Sequence, residues 1–459
     1  MAESEGRIGL AATVGVVLLA LLTVWVVVFS REDGVGPDAE PAGETTTPGP
    51  PATLELAELW TAPAGAAPVR GQGGRTIRVW AHDGTVTVVT AAGVRGRLAV
   101  DGREAWAADP PPGAGPPCAA AGATNAAGLG AVVFTAADGG CSVLGVLDVT
   151  DGDLRWWRQL TGPDATPADP AGVAVELGEG TVAVGLDAAG TPAAFHRFAV
   201  ADATPLPLPA PPDGAAAGCP DDRRQPRTVR QRGSRLLVLS DCPGARRELS
   251  AYGADTGEWH WSHAADQETE LTAGALLAGD PVVLVRGRDT EAELVAYGES
   301  GEELWHRPLG ATEAAAGPRP GPLPGEHAVV AGEVLITRYQ APADVRDGPA
   351  AEPAASWALA GYELAGGQPR WTTELAPGTQ LLGVAELGVP LLAEPTADDR
   401  LRILTLDPGT GGTTRLGTVP LHPDRAYDHQ FTAFDEHQLY LLTAFEGGTP
   451  RLRLAAYER

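Results

Sequence analysis

Short apolar runs separated by polar turns recur along the chain from about residue 54 to its end. Examples are TVTVVT (85–90), AVVFTA (131–136), RLLVLS (235–240), PVVLVR (281–286) and LYLLTAF (439–445). These runs are rich in β-branched residues and are bounded by Gly, Pro or Asp, which is typical of strands. The pattern predicts an all-β fold with about four strands in each repeat, as in one blade of a propeller.

A tryptophan that follows a glycine by four residues ends most of these repeats. The turn sequences end at Trp106, Trp156, Trp261, Trp305 and Trp371. Apart from one doubled gap, the spacing of roughly 44 to 66 residues is typical of a propeller or solenoid array. High glycine and proline contents, 59 and 41 residues, suit many short strands joined by tight turns.

The count of repeats predicts eight blades. The doubled gap, between Trp156 and Trp261, contains FHRFAVADATPLPLP (195–209), a repeat that has lost its tryptophan near position 208. A further repeat ends in Arg415 instead of tryptophan. The chain ends in LRLAAYER, which lacks the end of a repeat, and LAELWTAP around Trp60 supplies it. We therefore expect the N-terminal strand to complete the last blade, which removes an exposed sheet edge. Seven blades is the alternative, if 195–209 is a loop.

The regular spacing predicts a structural role for the repeat tryptophans. We expect them to form a ring that packs between adjacent blades, while glycine supplies the turn. The alternative is an aromatic ligand-binding surface. Long intervals at 204–232, 312–327 and 340–356 are interpreted as loops, where recognition usually occurs on a rigid scaffold. The tryptophans concerned are Trp60, Trp106, Trp156, Trp261, Trp305 and Trp371.

The pattern Ala-Tyr-x-x-x-Thr-Gly-x-x-x-Trp at 251–261 resembles the pyrroloquinoline quinone (PQQ)-like repeat. The resemblance extends over about 54–459 and implies a β-propeller, commonly with eight blades. Some members of this family are quinoprotein alcohol and glucose dehydrogenases. Many others bind no quinone and act as scaffolds, as in the outer-membrane assembly lipoprotein, or as sensor ectodomains of bacterial membrane proteins.

The residues that the quinoprotein alcohol dehydrogenases use are not found at matching positions. Those enzymes typically have two adjacent cysteines beside the cofactor, and asparagine with carboxylates around calcium. Here no two cysteines are adjacent in sequence, and Asn125 is the only asparagine. We therefore expect no PQQ and no calcium, and we assign no catalytic, cofactor-binding or metal residues.

An apolar run of 22 residues without a charge occupies 8–29. At about 1.5 Å per residue it would be about 33 Å long as a helix, enough to cross a hydrocarbon core of about 30 Å. A cleavable signal has a shorter apolar core, so an uncleaved transmembrane anchor is predicted. Residues 1–7 would then be a short cytoplasmic N-terminus, 30–53 a Pro/Thr-rich acidic linker and 54–459 the propeller.

The four cysteines form two pairs with the same spacing of 23 residues, Cys118 with Cys141 and Cys219 with Cys242. An even number at matched positions of a repeat predicts two disulfides. Disulfides persist in oxidising compartments, so the propeller is expected on the extracytoplasmic side of a single-pass membrane protein. Four free buried thiols are the alternative. A zinc site is disfavoured because the chain has no CxxC sequence.

The formal net charge of −26 argues against nucleic acid as a partner. All 33 basic residues are arginine, and the lack of lysine excludes phosphate-loop and Schiff-base chemistry. The composition resembles that of a high-GC bacterium such as an actinobacterium. One segment of this acidic chain is basic, 221–235, and is interpreted as a docking patch for an acidic partner or an anionic polymer. A solvated loop paired with nearby acids is the alternative. The patch consists of Arg223, Arg224, Arg227, Arg230, Arg232 and Arg235.

Together these features predict a non-catalytic binding protein of the cell envelope. A scaffold or assembly factor for envelope or membrane proteins is the first hypothesis. A sensor of a glycan or small ligand is the second, and a quinoprotein oxidoreductase is a third from a different class.

Overall fold

A computed structural model provides the structure of the protein. It describes residues 56–66, 78–137, 139–160, 172–186, 194–207, 219, 225–232, 234–242, 246–265, 276–286, 293–308, 328–341, 356–384, 389–398, 400–420, 430–434, 438–445 and 451–458. None of these residues belongs to a helix with the length and apolar character that crossing a bilayer requires. The predicted N-terminus (1–7), membrane span (8–29) and linker (30–53) lie outside the described residues.

The described residues form 31 strands. The strands of the first half of the chain are Glu58–Ala66 (β1), Arg78–His82 (β2), Thr85–Thr90 (β3), Gly93–Leu98 (β4), Glu104–Ala108 (β5), Pro117–Ala120 (β6), Leu129–Thr135 (β7), Cys141–Asp148 (β8), Leu154–Gln159 (β9), Val173–Leu177 (β10), Thr181–Leu186 (β11), Ala194–Ala199 (β12), Gln225–Arg232 (β13), Arg235–Cys242 (β14), Arg246–Gly253 (β15) and Trp259–Ala265 (β16). Those of the second half are Leu276–Gly279 (β17), Val282–Arg286 (β18), Glu293–Tyr297 (β19), Glu303–Pro308 (β20), Ala328–Ala331 (β21), Val334–Ala341 (β22), Ser356–Glu363 (β23), Pro369–Leu375 (β24), Gln380–Val384 (β25), Pro390–Pro395 (β26), Arg400–Leu406 (β27), Thr413–Pro420 (β28), Gln430–Phe434 (β29), Gln438–Phe445 (β30) and Arg451–Glu458 (β31).

The strands pair into eight antiparallel sheets, which are the blades of a propeller. In chain order, blade 1 is β2–β5, blade 2 is β6–β9, blade 3 is β10–β12, blade 4 is β13–β16, blade 5 is β17–β20, blade 6 is β21–β24, blade 7 is β25–β28, and blade 8 is β29–β31 with β1. From blade 2 to blade 8 the first strands of successive blades lie beside one another, β6 of blade 2 lies beside β3 of blade 1, and β29 of blade 8 lies beside β2 of blade 1. The prediction of an all-β, eight-bladed propeller is confirmed, and the seven-bladed alternative is wrong.

Blade 8 is completed by the most N-terminal strand of the propeller. Strand β1 pairs antiparallel with β31, and Trp60 lies opposite Ala456. This is the closure that the incomplete repeats at the two ends of the sequence predicted. It gives β31 a neighbour on each side, so the last blade has the same four strands as most others.

One predicted loop is wrong in part. The interval 204–232 was expected to be a loop, but Gln225–Arg232 is the first strand of blade 4 and pairs with β14. First strands of a propeller line its central channel. Charged side chains are compatible with that position, so a run of arginines does not exclude a strand there.

The core of the propeller lies between blades. Eight clusters of buried apolar residues each combine side chains from two neighbouring blades, one cluster for every interface around the ring. Among the described residues, the cluster between blades 3 and 4 contains six buried members, against nine or more at each other interface. Because burial of apolar side chains is the main stabilising contribution to packing, the interface between blades 3 and 4 receives the least stabilisation from apolar burial.

Candidate functional site at the interface between blades 3 and 4

Tryptophan joins most blades to the next by one recurring contact. The indole lies on the fourth strand of one blade, and its Nε1–H donates to a carbonyl in the turn before the fourth strand of the next blade. The donor and acceptor pairs are Trp60 with Ala99 (2.6 Å), Trp106 with Thr150 (3.1 Å), Trp156 with Val200 (2.6 Å), Trp305 with Leu364 (2.8 Å) and Trp371 with Pro408 (2.7 Å). Each contact packs a large ring between blades and satisfies its one polar atom; the ring is buried at Trp60 and partly buried at the other four positions.

The repeat glycine makes room for this contact. Gly102 in blade 1 has φ of 69°, in the left-handed region, and a Cβ added there would overlap the ring of Trp60. Gly411 in blade 7 has φ of 72° and lies against Trp371 in the same way. The Gly-x-x-x-Trp spacing therefore has two parts: glycine receives the ring of the preceding blade, and tryptophan enters the following one.

Arg415 is the residue at the tryptophan position of blade 7, and the fold explains the exchange. A tryptophan there would enter the turn before the fourth strand of blade 8. Blade 8 has no such turn, because its fourth strand is β1 from the other end of the propeller. With no turn to receive an indole, the exposed Arg415 bonds to Thr418 Oγ1 on its own strand at 3.4 Å instead.

The contact between blades 4 and 5 is modified by a histidine. Within the described residues the Trp261 Nε1 finds no acceptor, although its ring packs on Gly301. His263 Nε2 lies 2.6 Å from the Gly301 carbonyl oxygen instead. The His263 ring also lies 5.0 Å from that of Trp261 and 4.8 Å from that of Tyr297, between centroids. His263 is thus a packing residue of this interface.

Blade 3 lacks the tryptophan, as predicted, and its turn also lacks the glycine. Ala203 occupies the glycine position with φ of 59°, an uncommon conformation for a residue with a Cβ. Pro207 stands four residues later, where other repeats have tryptophan. Three strands form the described part of the blade, and Pro205 makes only an isolated bridge to Phe198.

Arg197 takes the place of the missing tryptophan. Its Nη2 donates to the carbonyl oxygens of Ala254 (2.8 Å) and Asp255 (2.6 Å) in the turn of blade 4. Its guanidinium lies against Gly257, the glycine of that turn. Arg197 is 5% exposed. Burial lowers the pKa of Arg197, and the charge of Asp255 opposes that shift. An arginine remains charged in either case.

The register of the blade explains how arginine reaches this place from a different strand. Trp106 and Trp371 lie opposite Gly96 and Gly361 on the third strands of their blades, where a side chain would overlap the indole. Arg197 occupies that third-strand position in blade 3, six residues before Ala203. Because no indole is present beside it, a long side chain can extend into the space.

A second set of bonds runs from blade 4 back to blade 3. Asp255 Oδ1 accepts from Gly180 N (3.0 Å) and from Thr181 Oγ1 (3.3 Å), and Thr181 Oγ1 is also 2.8 Å from the Ala254 oxygen. The interface between blades 3 and 4 thus relies on charge and hydrogen bonds, whereas the interfaces that a repeat tryptophan enters rely on an aromatic ring.

The same side of blade 4 carries a buried carboxylate beside a disulfide. Cys219 and Cys242 are bonded, with Cα atoms 5.3 Å apart. A carboxylate oxygen of Glu248 and the two sulfurs all lie within 4.8 Å of one another, and Glu248 is 1% exposed. Glu248 lies on the same face of β15 as Tyr252, and Cys242 lies on the same face of β14 as Val238; Tyr252 and Val238 pack toward blade 3. As thiolates the two cysteines could join Glu248 as metal ligands, but in the disulfide they offer no thiolate.

The other predicted disulfide joins Cys118 and Cys141, with Cα atoms 6.1 Å apart. Both cysteines belong to the apolar cluster between blades 2 and 3. Both disulfides are therefore confirmed, and free thiols are excluded.

The six arginines of the predicted docking patch do not share one environment. Arg223 and Arg224 lie outside the described residues, and Arg227 and Arg232 are on strand β13. Arg230 is partly exposed and donates to the Val229 carbonyl at 2.8 Å. Arg235 is 7% exposed, and its Nη2 lies 3.6 Å from Glu299 of blade 5. Arg235 is thus an interface residue, and the docking role of the rest stays a prediction.

Three residues of these interfaces were not identified from the sequence: Arg197, Glu248 and His263. Arg197 had a usable signal, since every tryptophan-bearing repeat has Gly, Ala or Val at its position. Glu248 is a single acid between Arg247 and Leu249 in a strand, and only the fold shows that it is buried.

The topology and the tryptophan contacts define a class of protein, the eight-bladed β-propeller built from PQQ-like repeats. Residues 225–406, which extend from the start of β13 to the end of β27, match the family described as outer membrane protein assembly factor BamB. The resemblance seen in the repeat sequence is therefore confirmed by a family match over residues 225–406, and the fold is an eight-bladed β-propeller. Comparison with curated protein sequences found no match.

Solved structures with a similar chain course include proteins of different functions. BamB from Moraxella catarrhalis is 14% identical, with 84% of this chain and 86% of that chain covered and a TM-score of 0.33. A europium-containing methanol dehydrogenase is 12% identical, with 88% and 93% covered and a TM-score of 0.46. Sqt1 from Saccharomyces cerevisiae is 9% identical, with 88% and 100% covered and a TM-score of 0.48.

Proposed function

We propose that this protein is a non-catalytic binding protein of the cell envelope, a membrane-anchored propeller that acts as a scaffold or assembly factor for other proteins. The observation that carries the proposal is the match of residues 225–406, nearly all of blades 4 to 7, to an assembly-factor family. The family's name describes a protein that assembles others, and we extend that role to this chain.

The interfaces between blades support a scaffold. Five indole bonds, the two bonds of Arg197 and two disulfides connect or brace blades around the ring. Rigid rings position the loops between their strands, and such loops are where binding residues concentrate. A rigid support lowers the entropic cost of ordering a binding surface when a partner docks.

The disulfides and the N-terminal sequence support the proposed location. Two disulfides suit an oxidising compartment, so we place the propeller outside the cytoplasm. We propose that residues 8–29 anchor it in the membrane and that 30–53 separate it from the bilayer. The test is extraction of cell membranes with alkaline carbonate. The full chain should stay in the membrane pellet, and its release into the supernatant would overturn the anchor.

The partner is tested by crosslinking in intact cells, followed by affinity capture of the tagged full chain and mass spectrometry. We expect one or a few envelope proteins to be enriched reproducibly. A charge-reversed variant, Arg223→Glu with Arg224→Glu, tests the basic segment. It should reduce capture by at least about tenfold, which corresponds to about 1.4 kcal/mol. Arg103→Glu is the matched control, because the Arg103 side chain is 76% exposed on blade 1, and should leave capture unchanged.

Each result bears on a different part of the proposal. Capture that survives both substitutions would keep the scaffold and remove the arginine segment from its docking surface. The absence of any enriched protein would overturn the scaffold in favour of a sensor of a glycan or small ligand. A sensor is recognised by thermal stabilisation of the full chain when its ligand is added.

A further inference from the structure

The two disulfides share a spacing of 23 residues but differ in their surroundings. Cys118 and Cys141 are both buried, 3% and 0% exposed, among apolar side chains. In the other pair Cys219 is 3% exposed while Cys242 is partly exposed. Within the described residues, the second disulfide is also the only one in a group that brings a carboxylate within 4.8 Å of both sulfurs. One pair has the setting of a structural crosslink, and the other has a partly exposed cysteine, a buried cysteine and an adjacent carboxylate.

We propose that Cys219–Cys242 is a thiol–disulfide exchange site, with Cys242 as the sulfur that contacts the redox partner and Glu248 as the proton acceptor for Cys219. The partner would be a protein or small molecule that presents a dithiol or a disulfide. Cys118–Cys141 is the structural disulfide of the same propeller.

The exchange can be written as two displacements. The Cys242 thiolate attacks a partner disulfide, which forms a mixed disulfide and releases one partner thiolate. The Cys219 thiol then gives its proton to the Glu248 carboxylate, and its sulfur attacks Cys242 Sγ. The bond from Cys242 to the partner breaks, and its electron pair leaves on the partner's second sulfur. Two electrons have passed from the protein dithiol to the partner disulfide, and the reverse sequence reduces the protein.

The position of Glu248 suits this role. The thiolate is the attacking form of cysteine, so a base beside a buried thiol accelerates its reaction. Ser250 Oγ lies 3.0 Å from Glu248 Oε1 and 2.8 Å from Ser262 Oγ, and the Trp259 indole donates to Ser262 at 3.0 Å. This chain of polar groups fixes the carboxylate on the side of the strand that faces the disulfide.

A buried hydroxyl lies on the same side. Ser240 is directly opposite Glu248 in the register of β14 and β15. It is 1% exposed, and its Oγ has no hydrogen-bond partner among the described residues. A purely structural strand pair would be expected to bury apolar side chains here, since an unpartnered buried hydroxyl is costly. The polar composition of this face therefore supports a site of proton transfer.

The first experiment compares the two pairs within the folded full-length protein. Dithiothreitol is added under native conditions, samples are quenched with acid, and alkylated cysteines are quantified by mass spectrometry. We expect Cys219–Cys242 to be reduced at least about tenfold faster than Cys118–Cys141. Equal rates for the two pairs would overturn the proposal.

The second experiment isolates the role of Glu248, because exposure of Cys242 alone could speed reduction. The reduced protein is reoxidised with oxidised glutathione. In Glu248→Gln, formation of Cys219–Cys242 should slow by at least about tenfold while Cys118–Cys141 is unchanged. Glu293→Gln is the matched control, a carboxylate on the third strand of blade 5, and should change neither rate. An unaltered rate in Glu248→Gln would remove the proton-acceptor role.

The wild-type pH profile tests the same point if Glu248→Gln does not fold. For an unassisted thiol the rate falls about tenfold for each pH unit below its pKa, because the thiolate fraction falls. The ring closure by Cys219 should fall less steeply than that, and Cys118–Cys141 should follow the unassisted slope. Parallel slopes for the two pairs would contradict the proposal. So would a reduced protein that retains zinc and thereby protects Cys219 and Cys242 from alkylation, since the three groups would then form a metal site.

Discussion

The interface between blades 2 and 3 and the interface between blades 3 and 4 bond the same kind of turn with different donors, an indole in the first and a guanidinium in the second. In both, a turn presents a carbonyl to the neighbouring blade. Trp156 donates one N–H to the Val200 carbonyl, and its ring packs against the largest apolar cluster among the described residues. Arg197 bonds to two carbonyls of the next turn with a charged group, at the interface that has the smallest apolar cluster among the described residues.

The difference shows what the repeat requires. The constant element is a donor that reaches the turn of the next blade, and the aromatic ring is one way to supply it. Charge-assisted hydrogen bonds are about twice as strong as neutral ones, so an arginine can offset some of the lost apolar area. An interface of this kind is also polar enough to accommodate Thr181, Asp255 and the buried Glu248.

The largest effect is expected from removing a tryptophan contact. Trp156→Ala should lower the free energy of unfolding by about 3–5 kcal/mol, because it opens a cavity and leaves the Val200 carbonyl without its donor. Trp157 is a matched control on the same strand, since it is 39% exposed. Trp157→Ala should change stability by less than about 1 kcal/mol. Urea unfolding followed by circular dichroism measures both, and equal losses would contradict the structural role of the ring.

Arg197→Ala should have the next largest effect, a loss of about 2–3 kcal/mol. The variant removes two charge-assisted hydrogen bonds and leaves Thr181 Oγ1 as the remaining donor to the Ala254 carbonyl, at an interface with little apolar area to compensate. Arg197→Lys retains the charge but lacks the planar guanidinium, so it should restore only part of the loss. The same urea titration gives the values, and a loss within error of zero would show that water replaces the guanidinium.

A paired substitution sharpens the comparison between the two interfaces. If position 207 is the true tryptophan position of blade 3, then Arg197→Ala combined with Pro207→Trp should be more stable than Arg197→Ala alone. The alanine vacates the space beside the indole, as glycine does at Gly96 and Gly361. Pro207→Trp by itself should destabilise, because Arg197 already occupies that space. Additive effects of the two substitutions would show that the positions do not share one space.

A smaller effect, about 1 kcal/mol, is expected from the turn that receives Trp106. Asp148 accepts from Thr150 N at 2.9 Å and from Thr150 Oγ1 at 2.6 Å, and so fixes the residue whose carbonyl binds Trp106. Burial alone would raise the pKa of Asp148, but the hydrogen bonds from Thr150 and Arg155 outweigh it, so this pKa lies below its usual value. Asp148→Asn should therefore be less stable than wild type at neutral pH.

The sign of the pH dependence follows from the lowered pKa. The contribution of Asp148 to stability is complete above the pKa it has in the unfolded chain, about 4. It is lost as the pH falls through the lower pKa of the folded protein. The stability difference between wild type and Asp148→Asn should narrow as the pH drops below about 4. Thermal melts at neutral and acidic pH test this, and a constant difference would show that the charge of Asp148 plays no part.

The smallest effect is expected at Ala203. Glycine removes the cost of a Cβ at φ of 59° but adds freedom to the unfolded chain, so Ala203→Gly should stabilise by no more than about 1 kcal/mol. Gly102→Ala is the converse, since its turn must also accept the Trp60 ring, and it should destabilise. Melting temperatures of the two variants test both predictions: Ala203→Gly should melt at or above the wild-type temperature, and Gly102→Ala below it.

The sequence contained most of the fold because the fold is a repeat. Glycine, tryptophan and apolar runs recur at one period, so the eight blades and the closure by β1 follow from counting. The sequence did not reveal Arg197, because the substitute for the missing tryptophan lies ten residues earlier, on the neighbouring strand. Nor did it reveal that Gln225–Arg232 is a strand, since charge at the central channel resembles the charge of a loop.

The candidate site was harder to predict than the fold for a related reason. Spacing alone indicated the disulfide between Cys219 and Cys242, because the pair repeats that of Cys118 and Cys141. The proximity of Glu248 depends on the register between β14 and β15 and on which side of the sheet faces blade 3. A single sequence reports neither quantity.

The pairing of β1 with β31 also determines the order in which the blades can form during synthesis. About 390 residues separate the first residue of β1 from the first residue of β31. Translation at about 5–20 residues per second would keep β1 without its partner for roughly 20 to 80 seconds. Blades 1 to 7 can form in order during that interval, each from contiguous chain. The ring therefore closes after blades 1 to 7 have formed, and a cell that makes this protein must keep one nascent strand from pairing elsewhere until β31 has been synthesised.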